Sequence, residues 1–176
     1  MNRILLADDS PHAQRMGELI LREEGYEVVT ITDGATVLLR LADVDPDLIL
    51  VDVTMPTKSG YEICEFVKSS LRYVHTRVVL LAGAADTVDD AEVRRVHADG
   101  VLKKPFESSL VLETVKPLLE AAATARIDAP AESSRARAAD PELIRAAVTI
   151  AVDAVLPSLI EEIAKKVLVA LDTKAE

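Results

Sequence analysis

Apolar residues fall along the first two thirds of the chain in short, strand-like runs: Ile4–Ala7, Glu27–Ile31, Leu48–Val51, Val78–Ala82 and Gly100–Leu102. Most are continuous rather than alternating, as expected of strands covered on both faces by helices. The segments between them have helical periodicity. Residues 12–24 place Met16, Leu19 and Ile20 on one side and Arg15, Glu18 and Arg22 elsewhere. Asp33-Gly34 supplies a cap for the second helix, and Asp86-Thr87 marks the start of the fourth. The last helix of the unit covers about Ser108–Ala122, with Val111, Leu112, Val115 and Leu118 on its buried side. Five alternating βα units predict an α/β domain over residues 1–122. Its sheet is five-stranded, parallel and doubly wound, in the order 2-1-3-4-5.

Beyond that domain the pattern changes. Residues 123–139 are rich in Ala, Ser and Arg with one large aliphatic residue, Ile127, and read as a flexible linker whose first alanines can extend the preceding helix. Asp140-Pro141-Glu142 then offers a capping acid, a proline at the first helical position and an acid in the first turn. An amphipathic helix or helical hairpin is predicted over 140–172, its polar stripe at Arg145, Thr149, Asp153, Glu161 and Lys165. Pro157 falls on that stripe and either kinks the helix or divides it. The remaining surface is apolar and wider than docking on one domain requires. Self-association into a helical bundle is the first expectation, and docking on a partner protein the second.

Composition removes several functions. The chain has 176 residues and a net charge of −10, with 49% apolar residues and 3% aromatic ones, so its core is aliphatic. Seven basic and nine acidic residues lie from Arg126 onward, which leaves −8 on residues 1–125. An acidic chain without a basic run is a poor partner for a phosphate backbone, and no nucleic-acid binding is expected. No apolar run reaches the roughly 18–20 residues that span a bilayer, and no signal peptide opens the chain. A cytoplasmic protein follows. Cys64 lies among apolar helical neighbours and reads as a small core residue. His12, His75 and His97 are scattered and without evident partners.

Chemistry gathers at the strand ends. Asp8 and Asp9 end the first strand, Asp52 ends the third, and Lys104-Pro105 ends the last. In the predicted order the first and third strands are neighbours at the topological switch point, where ligands bind. Three carboxylates without His or Cys suit a hard, oxygen-preferring ion such as Mg2+. Asp52, alone at the end of the central strand, is the best nucleophile for a phosphoryl group, and Lys104 can pair with it and then with phosphoryl oxygens. Thr54, two residues on, borders the path of an attacking water.

These residues resemble a known family. Asp8-Asp9, Asp52 with Met55-Pro56 and Gly60, and Lys104-Pro105-Phe106 look like the receiver domain of two-component response regulators, a chemotaxis-receiver-like, flavodoxin-like fold. The resemblance covers residues 2 to about 122. It implies that a histidine kinase phosphorylates Asp52. It implies that Asp9, Asp52 and the backbone carbonyl of Thr54 ligate Mg2+, with Asp8 acting through water. It implies that Lys104 contacts the phosphoryl group and that the Lys104–Pro105 bond is cis. The product is a phosphoacceptor that assists its own phosphorylation and hydrolysis, not a metabolic enzyme. An aspartyl-nucleophile phosphatase would want an acid where Thr54 stands.

Two positions depart from the pattern. Where the family usually carries Ser or Thr at the end of the fourth strand, this chain has Ala82; where it carries Tyr or Phe on the fifth, this chain has Val101. The usual route from phosphate to the fourth-helix face therefore lacks both its hydroxyl and its aromatic. The expected function is signalling through phosphorylated Asp52, with output by protein–protein contacts of residues 140–172. The alternative is a degenerate receiver acting as a phosphorylation-independent scaffold.

Overall fold

The computed structural model describes residues 2–86 and 88–128. By contact the chain divides into two units, 1–139 and 140–176. The predicted helix over 140–172, its Pro157 and most of the predicted linker lie outside the described residues.

Five parallel strands form one sheet in the order β2-β1-β3-β4-β5. They are β1 (Arg3–Ala7), β2 (Glu27–Ile31), β3 (Leu48–Asp52), β4 (Arg77–Ala82) and β5 (Gly100–Lys103). Between and after them run α1 (Pro11–Glu23), α2 (Gly34–Val44), α3 (Gly60–Ser69), α4 (Asp90–Arg95) and α5 (Ser108–Asp128). The predicted class and strand order are those observed.

The continuous apolar runs are explained by two cores, one on each face. Leu5, Ala7, Ile49, Val51, Val78 and Leu80 point toward α2, α3 and α4. Their alternates Ile4, Leu6, Leu48, Leu50, Val79 and Leu81 share a core with α1 and α5. Successive side chains of a strand point to opposite faces, so a strand covered on both sides needs apolar residues at every position. Each fully buried leucine contributes about 2 kcal/mol of hydrophobic stabilisation.

Local sequence sets the helix starts. Ser10 accepts from the Ala13 N–H ahead of Pro11 at the first helical position, and Asp33 accepts from the Thr36 N–H. Ser59 and Glu62 cap α3 reciprocally.

Three predicted details are corrected. The seam of α1 is centred on Gly17, Ile20 and Leu21, which turns Met16 (40% exposed) and Leu19 (53%) toward solvent. Helix α4 begins at Asp90 behind an Asp89 cap rather than near Asp86-Thr87, because the Asp86 carboxylate closes a turn on the Gly83 N–H at 2.6 Å instead of capping a helix. Helix α5 runs to Asp128, the extension that the alanines after Ala122 allow, and its buried face is the third correction. It buries Val111, Val115, Leu119 and Ala122, with Leu112 and Leu118 only half-buried.

The last turn of α5 is pinned to the N-terminal edge of the sheet. The Arg126 guanidinium reaches Asp45 Oδ2 at 2.9 Å, Asp47 Oδ1 at 3.0 Å and His75 Nε2 at 2.8 Å. Arginine only donates, so Nε2 of the buried His75 is the acceptor. Cys64 is a core residue as expected; its thiol lies 3.3 Å from the Val96 carbonyl, and burial pushes its pKa up to about 12.

Candidate functional site

At the opposite edge, the C-terminal ends of β1, β3 and β5 bring the predicted residues together. One carboxylate oxygen from each of Asp8, Asp9 and Asp52 lies within 4.8 Å of the others. Parallel pairing of β1 with β3 puts Ala7 beside Val51, so the residues that follow each strand emerge side by side. Gly60 allows α3 to start against the end of β3, since a Cβ there would overlap the Asp52 carbonyl oxygen.

Asp8 and Asp52 are fully buried, whereas Asp9 is exposed and, among the described residues, meets no protein donor. The Lys104 ammonium sits between the two buried acids, 3.1 Å from Asp8 Oδ2 and in contact with Asp52 Oδ2. The Lys104–Pro105 bond is cis.

Each oxygen of Asp52 has its own partners. Oδ2 faces Lys104, while Oδ1 accepts from the Thr54 N–H at 3.1 Å and the Thr54 hydroxyl at 3.2 Å. Asp8 Oδ1 accepts from the Ser10 N–H at 2.9 Å, a contact that no sequence spacing advertised.

The electrostatics follow from burial and charge. Burial raises the Asp8 pKa and the neighbouring Asp52 charge adds to it, while the Ser10 N–H and Lys104 oppose them without cancelling the rise. Burial alone would lower the Lys104 pKa, yet hydrogen bonds and charge from Asp52 and Asp8 leave it raised, so the ammonium is held.

Three carboxylates against one ammonium leave the edge short of positive charge, with an exposed acid at its mouth. Every side-chain donor atom in the cluster is oxygen, which fits a hard divalent ion and excludes a thiolate- or imidazole-based site.

The two departures stand where the sequence put them. Ala82 is fully buried at the end of β4 and pairs with Lys103 across the sheet; Val101 is partly buried on β5. His12 is exposed and, with Ser10, Ala13, Met16, Lys104 and Phe106, lines a cavity of about 360 Å³ beside the acids.

This fold with acids and lysine at one sheet edge is that of a signalling receiver. Residues 4–116 match the response regulator receiver domain, and the chain belongs to that family. It is 33% identical over 114 residues to protein PilG of Pseudomonas aeruginosa, an alignment covering 65% of this chain and 84% of PilG. It is 31% identical over 117 residues to the DNA-binding response regulator MtrA of Mycolicibacterium smegmatis, covering 66% of this chain. That alignment takes in 50% of MtrA, so the chain spans about half of that relative's length. Among solved structures, the chemotaxis response regulator CheY4 of Vibrio cholerae aligns with a TM-score of 0.62 and 31% identity, covering 67% of this chain and 98% of CheY4. A CheY-like receiver from Methanospirillum hungatei aligns with a TM-score of 0.63 and 25% identity, over 70% of this chain and 98% of that one.

Receiver domains of this family work with histidine kinases and typically bind Mg2+ at an acidic pocket. No helix among the described residues is long and apolar enough to cross a membrane.

Proposed function

We propose that this chain is a phosphorylation-dependent response regulator whose phosphoacceptor is Asp52, acting in the cytoplasm as the substrate of a histidine kinase. The observation that carries this reading is the meeting of Asp8, Asp9, Asp52 and Lys104 at one edge of a receiver sheet. Mg2+ would be held by Asp9, Asp52 and the Thr54 carbonyl, with Asp8 behind them, and would supply positive charge against the acids and the incoming phosphoryl oxygens.

The chain's own residues do the rest. Asp52 presents a carboxylate oxygen to phosphorus, and the donor's bond to phosphorus breaks with its electron pair leaving on the donor. Lys104, already against Asp52, follows the charge onto the phosphoryl oxygens. Burial of Asp52 and Asp8 keeps competing water from most of their surface. Residues 123–139 would tether the C-terminal segment, and residues 140–172 would carry output by self-association or by binding a partner protein, without nucleic-acid contact.

A second reading is supported by Ala82 and Val101: a scaffold that keeps the acids but not the switch. The two readings separate in one experiment. The full chain is incubated with Mg2+ and acetyl phosphate beside an Asp52→Ala control; intact mass and light scattering are then recorded. One added phosphoryl group, absent from the control and accompanied by a changed assembly mass, is the expected result. No added group from acetyl phosphate or from a kinase would leave the scaffold.

A further inference from the structure

We propose that phosphorylation of Asp52 is relayed to the N-terminus of α2 through the β3–α3 loop, with Thr54 sensing the charge on Asp52 and Thr57 holding the aspartate that caps α2. The inference rests on the phosphoacceptor reading above and gives it a route.

The familiar partners on β4 and β5 are missing. Ala82 has no hydrogen-bonding side chain, and Val101 has no ring to swing. The hydroxyl that touches the phosphoacceptor comes instead from Thr54, which directs both its N–H and its O–H at Asp52 Oδ1.

Phosphoryl transfer changes that acceptor whichever oxygen reacts. A new O–P bond forms from one carboxylate oxygen and the donor's O–P bond breaks, leaving the donor with the electron pair. The carboxylate becomes a mixed anhydride. If Oδ2 forms the bond, Oδ1 becomes a neutral carbonyl; if Oδ1 forms it, that oxygen loses its charge and a lone pair. Either way the two charge-assisted bonds from Thr54 weaken. This is a differential interaction between two states, which any switch requires.

The rest of the loop transmits the change. Met55, next to Thr54, is buried in the core. Thr57 has φ = 64°, a left-handed conformation that is an outlier for a β-branched residue and is strained. It is held there from α2: its hydroxyl donates to Asp33 Oδ2 at 2.7 Å and accepts from the Ala35 N–H at 3.0 Å. The Pro56 carbonyl, also at 2.7 Å, is the competing acceptor for the same proton. The Gly34 N–H donates to that carbonyl at 3.1 Å, and a Cβ on Gly34 would overlap the Lys58 carbonyl oxygen. Loop and helix start are thus in contact through backbone and side chains together, and Asp33 is the cap that sets α2 on the Thr36 N–H at 2.9 Å. A loop loosened at Thr54 releases a strained Thr57 and, with it, the cap of α2.

The test measures amide exchange at residues 34–37 in the full chain with Mg2+, before and after acetyl phosphate, with intact mass confirming phosphorylation. In the wild type these amides should exchange faster after phosphorylation, on the order of tenfold for a loss of one charge-assisted contact. Thr57→Gly accepts the left-handed backbone without strain but lacks the hydroxyl; it should take up the phosphoryl group and show no such acceleration. Thr57→Ser, which keeps the hydroxyl, should restore it. An acceleration confined to the β4–α4 connection and α4, or one that persists in Thr57→Gly, overturns the relay. A wild-type chain that never gains the phosphoryl mass overturns the phosphoacceptor reading and the relay with it.

Discussion

Both ends of this sheet carry a cluster of charge, and they use it in opposite ways. At the N-terminal edge, Asp45 and Asp47 are filled by fixed donors: the Arg126 guanidinium reaches both, and the Arg3 N–H gives Asp47 a further bond at 2.8 Å. At the C-terminal edge three acids face one ammonium, one acid is exposed, and the Asp8 pKa is pushed up by burial rather than held down by partners. The first arrangement closes a structure, fastening the end of α5 to the strands. The second leaves capacity for charge that is not part of the fold. Comparable residues at two ends of the same strands therefore separate into an anchor and a site at Asp9, the one acid of the two clusters that is exposed and, among the described residues, meets no protein donor.

The contrast is broken most severely at Lys104. Lys104→Met removes the cation between Asp8 and Asp52 and leaves two buried carboxylates facing each other. Losing one member of a buried pair costs about 3–5 kcal/mol. Urea denaturation of the variant should show that loss in chelator and a smaller one in millimolar Mg2+. A loss of the same size in both conditions would mean that the C-terminal edge takes no cation, and that the two clusters are alike.

Asp47→Ala is the matching change at the anchor. It deprives the Arg3 N–H and the Arg126 guanidinium of an acceptor, at a cost of about 2 kcal/mol. Here Mg2+ should make no difference. A Mg2+-dependent recovery in this variant would show that the ion acts on overall stability rather than at the acids of the other edge.

The sequence spoke clearly about one edge and hardly at all about the other, for a physical reason. Asp8, Asp9, Asp52 and Lys104 each lie at the end of a short apolar strand, so the strand pattern by itself locates them. The order of a parallel sheet then brought them together. Arg126 lies 81 residues from Asp45 and 51 from His75, with no periodic signal joining them, and only the packing of α5 makes them neighbours. His75 therefore looked solitary in the sequence and is buried against a guanidinium in the fold. Met16 and Leu19 misled in the other direction: helical period gave a face, but Gly17 at the α1 seam decided which face is buried. Thr57 could not be foreseen, because a left-handed threonine is the opposite of what its side chain prefers. Residues 140–172, where the sequence predicts an output helix, lie outside the described residues.

The smallest expected effect has the opposite sign to the others. Asp8→Asn keeps the shape of the side chain and an acceptor for the Ser10 N–H, and removes a charge that burial and Asp52 disfavour; it gives up the acceptor facing Lys104, whose ammonium keeps Asp52 as its partner. Because the folded-state pKa of Asp8 is raised, the native protein binds more protons here than the unfolded chain in the window above the ordinary aspartate value. The contribution of Asp8 to stability is therefore fully present below that value and is lost as pH rises through the raised one. At neutral pH, in chelator, Asp8→Asn should melt a few degrees above the wild type, which corresponds to about 1 kcal/mol in a domain of this size. The gain should vanish at acidic pH, where the wild-type acid is protonated. It should also shrink in Mg2+, which stabilises only a chain that still has the charge to hold it. A neutral-pH variant that melts below the wild type would mean that the Asp8–Lys104 pair outweighs the burial of Asp8. The C-terminal edge would then be a satisfied cluster like the one around Arg126.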